Sequence, residues 1–456
     1  MPEHPPTFHI TTWGCQMNEE DSEQMALSME QMGYERAPNA ESADVVLLNT
    51  CSVRRKPEEK VYSRLGELRE LKQQRPELIV GVCGCMAQVE SAGIRRRAPF
   101  VDLILGTGNV GALPALIRSA RERRAAGGGA SVEHAVAALE LPARKGAVVT
   151  DVPLRSLARR PKLKAFVPIM YGCDKFCTFC IVPNTRGRER SRPADEIVGE
   201  AEGLARAGTR EVTLLGQTVN SYGKNLADGR VPFARLLERL DAVRGLRRIR
   251  FTSPYARDFT DELVETIARL GTVCEHVHLP LQVADDDLLR RMRRGYTVAE
   301  YARVLEKLRS SVPGIAVTTD LMLGFPGETD EQFRNTLRFV EEARFDAAFM
   351  FAYSMRPGTR AAEMANQVPH EVKIARLREL IELQNGITVA RNRALVGAEL
   401  EVLVEGRSPR DPTRMTGLTR TFKTVNFAAD DRHTGKLVAV RLVEAHLTGF
   451  TGELAR

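Results

Sequence analysis

At 456 residues the chain is too long for one ordinary domain, and a hydrophobic fraction of 43% can fill several cores without staples. Its formal charge of +7 (66 basic against 59 acidic residues) permits a nucleic-acid partner without requiring one, because a solvated basic surface accounts equally well for such an excess. Eight unevenly spaced cysteines exclude a secreted disulfide framework. There is no basic-then-apolar leader and no apolar run of about eighteen residues, so the expectation is a cytoplasmic protein without a membrane span.

Residues 1–124 read as alternating strands and helices. Strands are expected at Phe8–Thr12, Val45–Leu48, Leu78–Val82 and Val101–Leu105, with helices over Asp21–Met32, Pro57–Gln74 and Val110–Arg121. This alternation predicts a doubly wound parallel sheet, whose ligands bind at the carboxyl ends of the strands. Each of the first three strands delivers a thiol there: Cys15, then Cys51, then Cys83 or Cys85. Any one of them alone reads as an inert buried cysteine. Three in succession predict convergence on one edge and a metal cluster, with Cys83 on the strand facing the core and Cys85 beyond it.

Residues 125–163 read as a linker, with a small-residue run at Ala125–Ser131 and a basic cluster Arg159-Arg160-Pro161-Lys162 that is either solvated or in contact with phosphate. Residues 164–381 then carry repeated strand–helix units. Strands are expected at 166–171, 211–215, 248–252, 276–279, 316–323 and 347–353, which predicts a partial (β/α) barrel with reacting groups at the strand carboxyl ends. Directly after its first strand comes Cys173-Asp174-Lys175-Phe176-Cys177-Thr178-Phe179-Cys180. Three thiols so close can hold a [4Fe–4S] cube, leaving one iron open to a small molecule; a structural zinc loop would want a fourth protein ligand.

That spacing resembles the radical S-adenosylmethionine (SAM) enzymes, in which SAM takes the open iron. The stretches Thr12-Trp13-Gly14-Cys15-Gln16-Met17-Asn18, Leu48-Asn49-Thr50-Cys51-Ser52 and Gly84-Cys85-Met86-Ala87-Gln88 resemble, more narrowly, the radical SAM methylthiotransferases. The resemblance implies two [4Fe–4S] clusters, one on Cys173, Cys177 and Cys180 and an auxiliary one on Cys15, Cys51 and Cys85, with SAM as cosubstrate. It places Phe179, Gln217, Asn220 and Gly324 at the SAM pocket and makes Arg186 a candidate contact to anionic substrate. One stretch departs from the family pattern: Leu279-Pro280-Leu281-Gln282 continues as Val283-Ala284-Asp285. Cys274 has no thiol neighbour and reads as buried.

Residues 382–456 alternate short strands and turns, predicting a small antiparallel β-barrel. Arg420 and Lys423, with Phe422 and Phe427 nearby, could grip phosphates and stack bases. The run Gly417–Phe427 resembles the TRAM domain, which implies RNA binding. Across the chain, the branch of the family most resembled acts on N6-dimethylallyladenosine of tRNA, drawing electrons from a reductant such as a flavodoxin or ferredoxin; a monomer is expected. The alternatives are the same chemistry on threonylcarbamoyladenosine of tRNA or on a ribosomal-protein aspartate, or a non-catalytic RNA-binding iron–sulfur protein.

Overall fold

The computed structural model describes residues 4–52, 55–126, 135–141, 159, 161–226 and 229–455. The predicted flexible run over 127–131 and Arg160 lie outside them. Ten elements build the N-terminal domain: β1 (Thr7–Trp13), α1 (Gln16–Gln31), β2 (Glu35–Arg36), β3 (Val45–Thr50), α2 (Arg55–Gln74), β4 (Ile79–Gly84), α3 (Cys85–Arg97), β5 (Leu103–Leu105), α4 (Leu113–Ala125) and β6 (Val136–Ala138). Every pairing is parallel and the strand order is β2-β1-β3-β4-β5-β6. β3 and β4 are buried along their whole length, as expected for central strands covered on both faces. One core lies between the sheet and α1 with α4, the other between the sheet and α2 with α3. The chain runs one way from β1 and the other way from β3, so the switch point of the sheet falls between the strands that precede Cys15 and Cys51. The linker predicted over 125–163 is thus too long: β6 falls within it and completes the sheet edge beside β5.

The central domain is the expected partial barrel. Its strands are β7 (Lys164–Pro168), β10 (Glu211–Leu215), β11 (Arg248–Phe251), β12 (His276–His278), β13 (Ala316–Leu323) and β14 (Ala347–Ala352), with the short pair β8 (Met170–Tyr171) and β9 (Arg190–Ser191) flanking the cysteine loop. β7-β10-β11 and β12-β13-β14 are both parallel, and a bridge between Ile249 and Val273 joins them. β7 and β14 are not paired with each other, so the barrel stays open at that side.

The helix His370–Arg393 runs unbroken through the boundary predicted at 381/382, and the third domain begins after it. There β15 (Glu399–Arg407), β16 (Met415–Thr419), β17 (Thr424–Phe427), β18 (Leu437–His446) and β19 (Gly449–Leu454) close a barrel. It is not wholly antiparallel as expected, because β17 and β19 pair in parallel. The β16–β17 turn plugs the amino ends of the central strands: Arg248 donates to Leu418 O at 2.7 Å, and Arg250 donates to Thr419 O and Arg420 O, both at 2.7 Å. Phe422 stacks on His276 at 4.9 Å between ring centroids. No helix among the described residues is long and apolar enough to cross a membrane.

Candidate iron–sulfur and SAM site

The first thiol triad is assembled by the sheet switch point. Cys15 caps the N-terminus of α1, Cys51 follows β3, and Cys85 is the first residue of α3. Helix N-termini carry partial positive charge, which favours thiolate over thiol. Cys51 lies within hydrogen-bonding reach of both other thiols, and this contact lowers Cys15 to about 6 and Cys85 to about 7 while Cys51 itself is pushed far up. Cys51 and Cys85 are buried and Cys15 is exposed, so the triad opens outward at Cys15. Cys83 instead points into the core among Leu103, Leu105 and Ile79, and burial raises it; Cys85 is therefore the third member. The turn that swings the chain from β4 to Cys85 depends on Gly84, at φ 87°: a Cβ there would lie 2.2 Å from Asn49 Oδ1 and 2.7 Å from Thr50 O. Asn18 braces the other side, its Oδ1 accepting from Cys15 N at 3.3 Å and Cys15 Sγ at 3.4 Å.

The second triad sits on the loop after β8. Gly172, at φ 72°, lets that loop leave the strand; a Cβ would collide with Arg188 O at 2.2 Å and Gly187 O at 2.5 Å. Burial raises Cys173 to about 11 and Cys180 to about 12. Donors nevertheless aim at the sulfurs, with Lys175 N 3.5 Å from Cys173 Sγ and Arg294 Nη1 3.4 Å from Cys177 Sγ. Among the described residues no three His, Cys, Asp or Glu side chains surround a point for a single ion. Two cysteine triads, each supplied with sulfur-directed donors or cations, fit cubes whose irons take one thiolate apiece.

The SAM candidates divide. Phe179 packs, partly buried, against the barrel core. Gln217 buries a side-chain oxygen that no donor meets, a vacant acceptor suited to an ammonium or ribose hydroxyl. Gly324 turns its N–H to both oxygens of Glu328 at 3.0 Å. Asn220 is oriented by Tyr255 at both ends of its amide, donating to O at 2.9 Å and accepting from N at 2.8 Å. The Val283-Ala284-Asp285 departure keeps its helix, since Asp285 accepts from Leu288 N at 3.1 Å as the N-cap. Cys274 is buried as expected.

The three expected RNA contacts are all engaged within the protein. Arg186 is buried, its Nη2 donating to Asp21 Oδ2 at 2.9 Å. Arg420 holds Glu275 by two bonds of 2.7 and 2.8 Å and Val273 O by a third of 2.7 Å. Lys423 reaches Asn392 Oδ1 at 2.9 Å and Asp346 at 3.3 Å. Arg159, expected in a solvated linker, is buried and bonds Glu23 at 2.8 Å and Glu200 at 2.9 Å, tying α1 to the barrel. Sequence reasoning missed Arg294, Glu189 and Asp258. Arg294 lies in a run of arginines that reads as a wet surface. Glu189 is buried beside the cysteine loop, where burial raises it to about 7, and accepts from Thr218 Oγ1 at 3.2 Å. Asp258 receives Lys175 Nζ from the loop and Ser221 Oγ at 2.5 Å.

Family models match three successive stretches of the chain: uncharacterized protein family UPF0004 over residues 7–106, the Radical SAM superfamily over 167–340 and the TRAM domain over 393–455. A tRNA-2-methylthio-N(6)-dimethylallyladenosine synthase of Moorella thermoacetica is 49% identical over 98% of both chains. One of Carboxydothermus hydrogenoformans is 45% identical over 98% of this chain and 99% of its own. Among solved structures, the radical SAM methyltransferase TsrM of Kitasatospora setae aligns with TM-score 0.54 at 15% identity, over 79% of this chain and 77% of its own, a likeness of fold alone. With three domain models in register and relatives matched from end to end, the chain belongs to the radical SAM methylthiotransferases, in the tRNA-2-methylthio-N(6)-dimethylallyladenosine synthase family.

Proposed function

We propose that the enzyme replaces the C2 hydrogen of N6-dimethylallyladenosine, beside the tRNA anticodon, with a methylthio group. It works in the cytoplasm as a monomer, with two [4Fe–4S] clusters, two molecules of SAM and electrons from an external donor such as a flavodoxin or ferredoxin. The observation that carries this reading is a short link between the two thiol triads. Arg186 follows Cys180 by six residues and its guanidinium donates to Asp21 on α1, the helix that Cys15 caps, so a substrate between the triads meets both.

Clusters held on Cys173, Cys177 and Cys180 and on Cys15, Cys51 and Cys85, together with SAM, would supply one-electron cleavage of SAM for abstraction of the C2 hydrogen and a methylated sulfur to replace it. The residues do the holding. Lys175 N and Arg294 fix two of the sulfurs, while the vacant oxygen of Gln217 and the buried carboxyl of Glu189 offer acceptors for the methionyl ammonium. An adenine C2 in a stacked loop is out of reach, so the base must be splayed into the space between the domains.

The test is mass spectrometry of tRNA nucleosides from cells with and without the gene, complemented by wild type or Cys173→Ala. The expected result is loss of the methylthio nucleoside, accumulation of its dimethylallyl precursor, and rescue by wild type only. An untouched nucleoside would shift the assignment to threonylcarbamoyladenosine or ribosomal protein. Product made by Cys173→Ala would remove the radical mechanism.

A further inference from the structure

We propose that Arg186 is the buried counter-charge of the auxiliary centre: held between α1 and α3, it balances the thiolates of Cys15, Cys51 and Cys85 and sets the reduction potential of the cluster they hold. The inference rests on the two-cluster reading above and assigns to Arg186 a positioning role toward one of those clusters.

The geometry is over-determined. The short helix Val182–Arg186 follows the cysteine loop and packs against α3, whose first residue is Cys85. Its last side chain reaches across to α1, where Asp21, six residues after Cys15, accepts from Arg186 Nη2 at 2.9 Å. Both flanking carbonyls are clamped as well. Thr107 Oγ1 of the N-terminal domain donates to Thr185 O at 2.5 Å, and Arg190 Nη2 donates to Arg186 O at 3.2 Å. Arg186 is only 4% exposed, and Asp21 only 5%. A guanidinium buried this deeply is retained where anions need it, because desolvating it is costly unless it is paired. A single carboxylate neutralises one unit of charge, whereas the site contains that carboxylate and three thiols. If Arg186 were merely a bolt between domains, the Asp21 pair would suffice and the thiols would be bystanders.

Charge and shape can be separated. In full-length protein carrying Cys173→Ala, Cys177→Ala and Cys180→Ala, only the auxiliary centre is loaded, and its midpoint potential is read by EPR-monitored titration alongside iron content. Reducing a cluster adds negative charge, so Arg186→Gln is expected to move the midpoint to lower potential and Asp21→Asn to higher potential. Arg186→Lys is expected to stay near wild type. If Arg186→Gln does not assemble, Asp21→Asn and Arg186→Lys decide alone. A midpoint indifferent to Asp21→Asn, or an Arg186→Lys midpoint as displaced as that of Arg186→Gln, overturns the proposal. Failure of the substrate assignment would leave these potentials where they are; absence of any cluster on the wild-type auxiliary cysteines would overturn both.

Discussion

Replacing Arg420 and Lys423 together by alanine is expected to unlock the C-terminal barrel and leave the salt dependence of tRNA binding nearly unchanged. Arg420 gives Glu275 a two-bond grip at 2.7 and 2.8 Å and Val273 O a third bond at 2.7 Å. Because the pair keeps some solvent exposure, its loss is at the lower end of the range for charge-assisted bonds, about 1.5–2 kcal/mol. Removing Lys423 takes one partner from Asp346, which still accepts from Arg391 at 3.1 Å and Val317 N at 2.9 Å, so this step costs about 1 kcal/mol. Together the seam weakens by about 3 kcal/mol, roughly a 10²-fold rise in the undocked population. Hydrogen exchange over 246–252 and 417–424 reads that opening directly. If the two cations instead neutralised phosphates, the slope of log affinity against log salt would flatten by about 1.5. A flattened slope with unchanged exchange would refute the reasoning from the structure.

Other expectations follow from the same geometry. Cys85→Ala should lose about half the iron of the loaded enzyme and Cys83→Ala none, since only Cys85 meets the other thiols; iron analysis decides. Gly84→Ala forces a φ of 87° on a residue with a side chain and drives its Cβ against Asn49 and Thr50 O, so a loss of at least about 1–2 kcal/mol is expected together with auxiliary iron. Thermal denaturation of apo and loaded protein reads the two effects separately. Arg159→Met removes a buried cation that bonds Glu23, Glu200 and Phe166 O, and a loss of about 3 kcal/mol or more is expected in denaturant unfolding. Glu275 supplies the pH dependence: burial pushes its carboxyl up, but Arg420 and further partners hold it below the ordinary value. A depressed folded value contributes stability above the unfolded value of about 4.3 and loses it as pH falls through the folded one. Exchange across the seam should therefore quicken on acidification in wild type, and much less in Arg420→Ala.

What the sequence made legible was local and periodic. Strand–helix alternation gave the sheet and the partial barrel, and a thiol at each of three strand ends gave convergence, because a parallel sheet has one carboxyl edge. The choice between Cys83 and Cys85 stayed open in the sequence, because a central strand is buried on both faces and period 2 alone does not say which thiol leaves the core. What failed was the meaning of charge. Arg159, Arg186, Arg420 and Lys423 all read as phosphate ligands or wet surface, and all four are engaged inside the protein. Their partners lie far along the chain, 136 residues away for Arg159 with Glu23, 165 for Arg186 with Asp21 and 145 for Arg420 with Glu275. Pattern rules work within a turn of helix or a pair of strands, so no such rule could find them. The same distance explains what these residues do. Three domains whose cores are separate must be held in register if two thiol triads are to address one adenine, and buried ion pairs fix orientation more sharply than non-directional apolar contact. Replacing Arg159 and its carboxylate partners together by well-packed apolar residues would restore stability. It would not restore the angle between the domains, and on this argument turnover should fall even in variants whose melting temperature recovers.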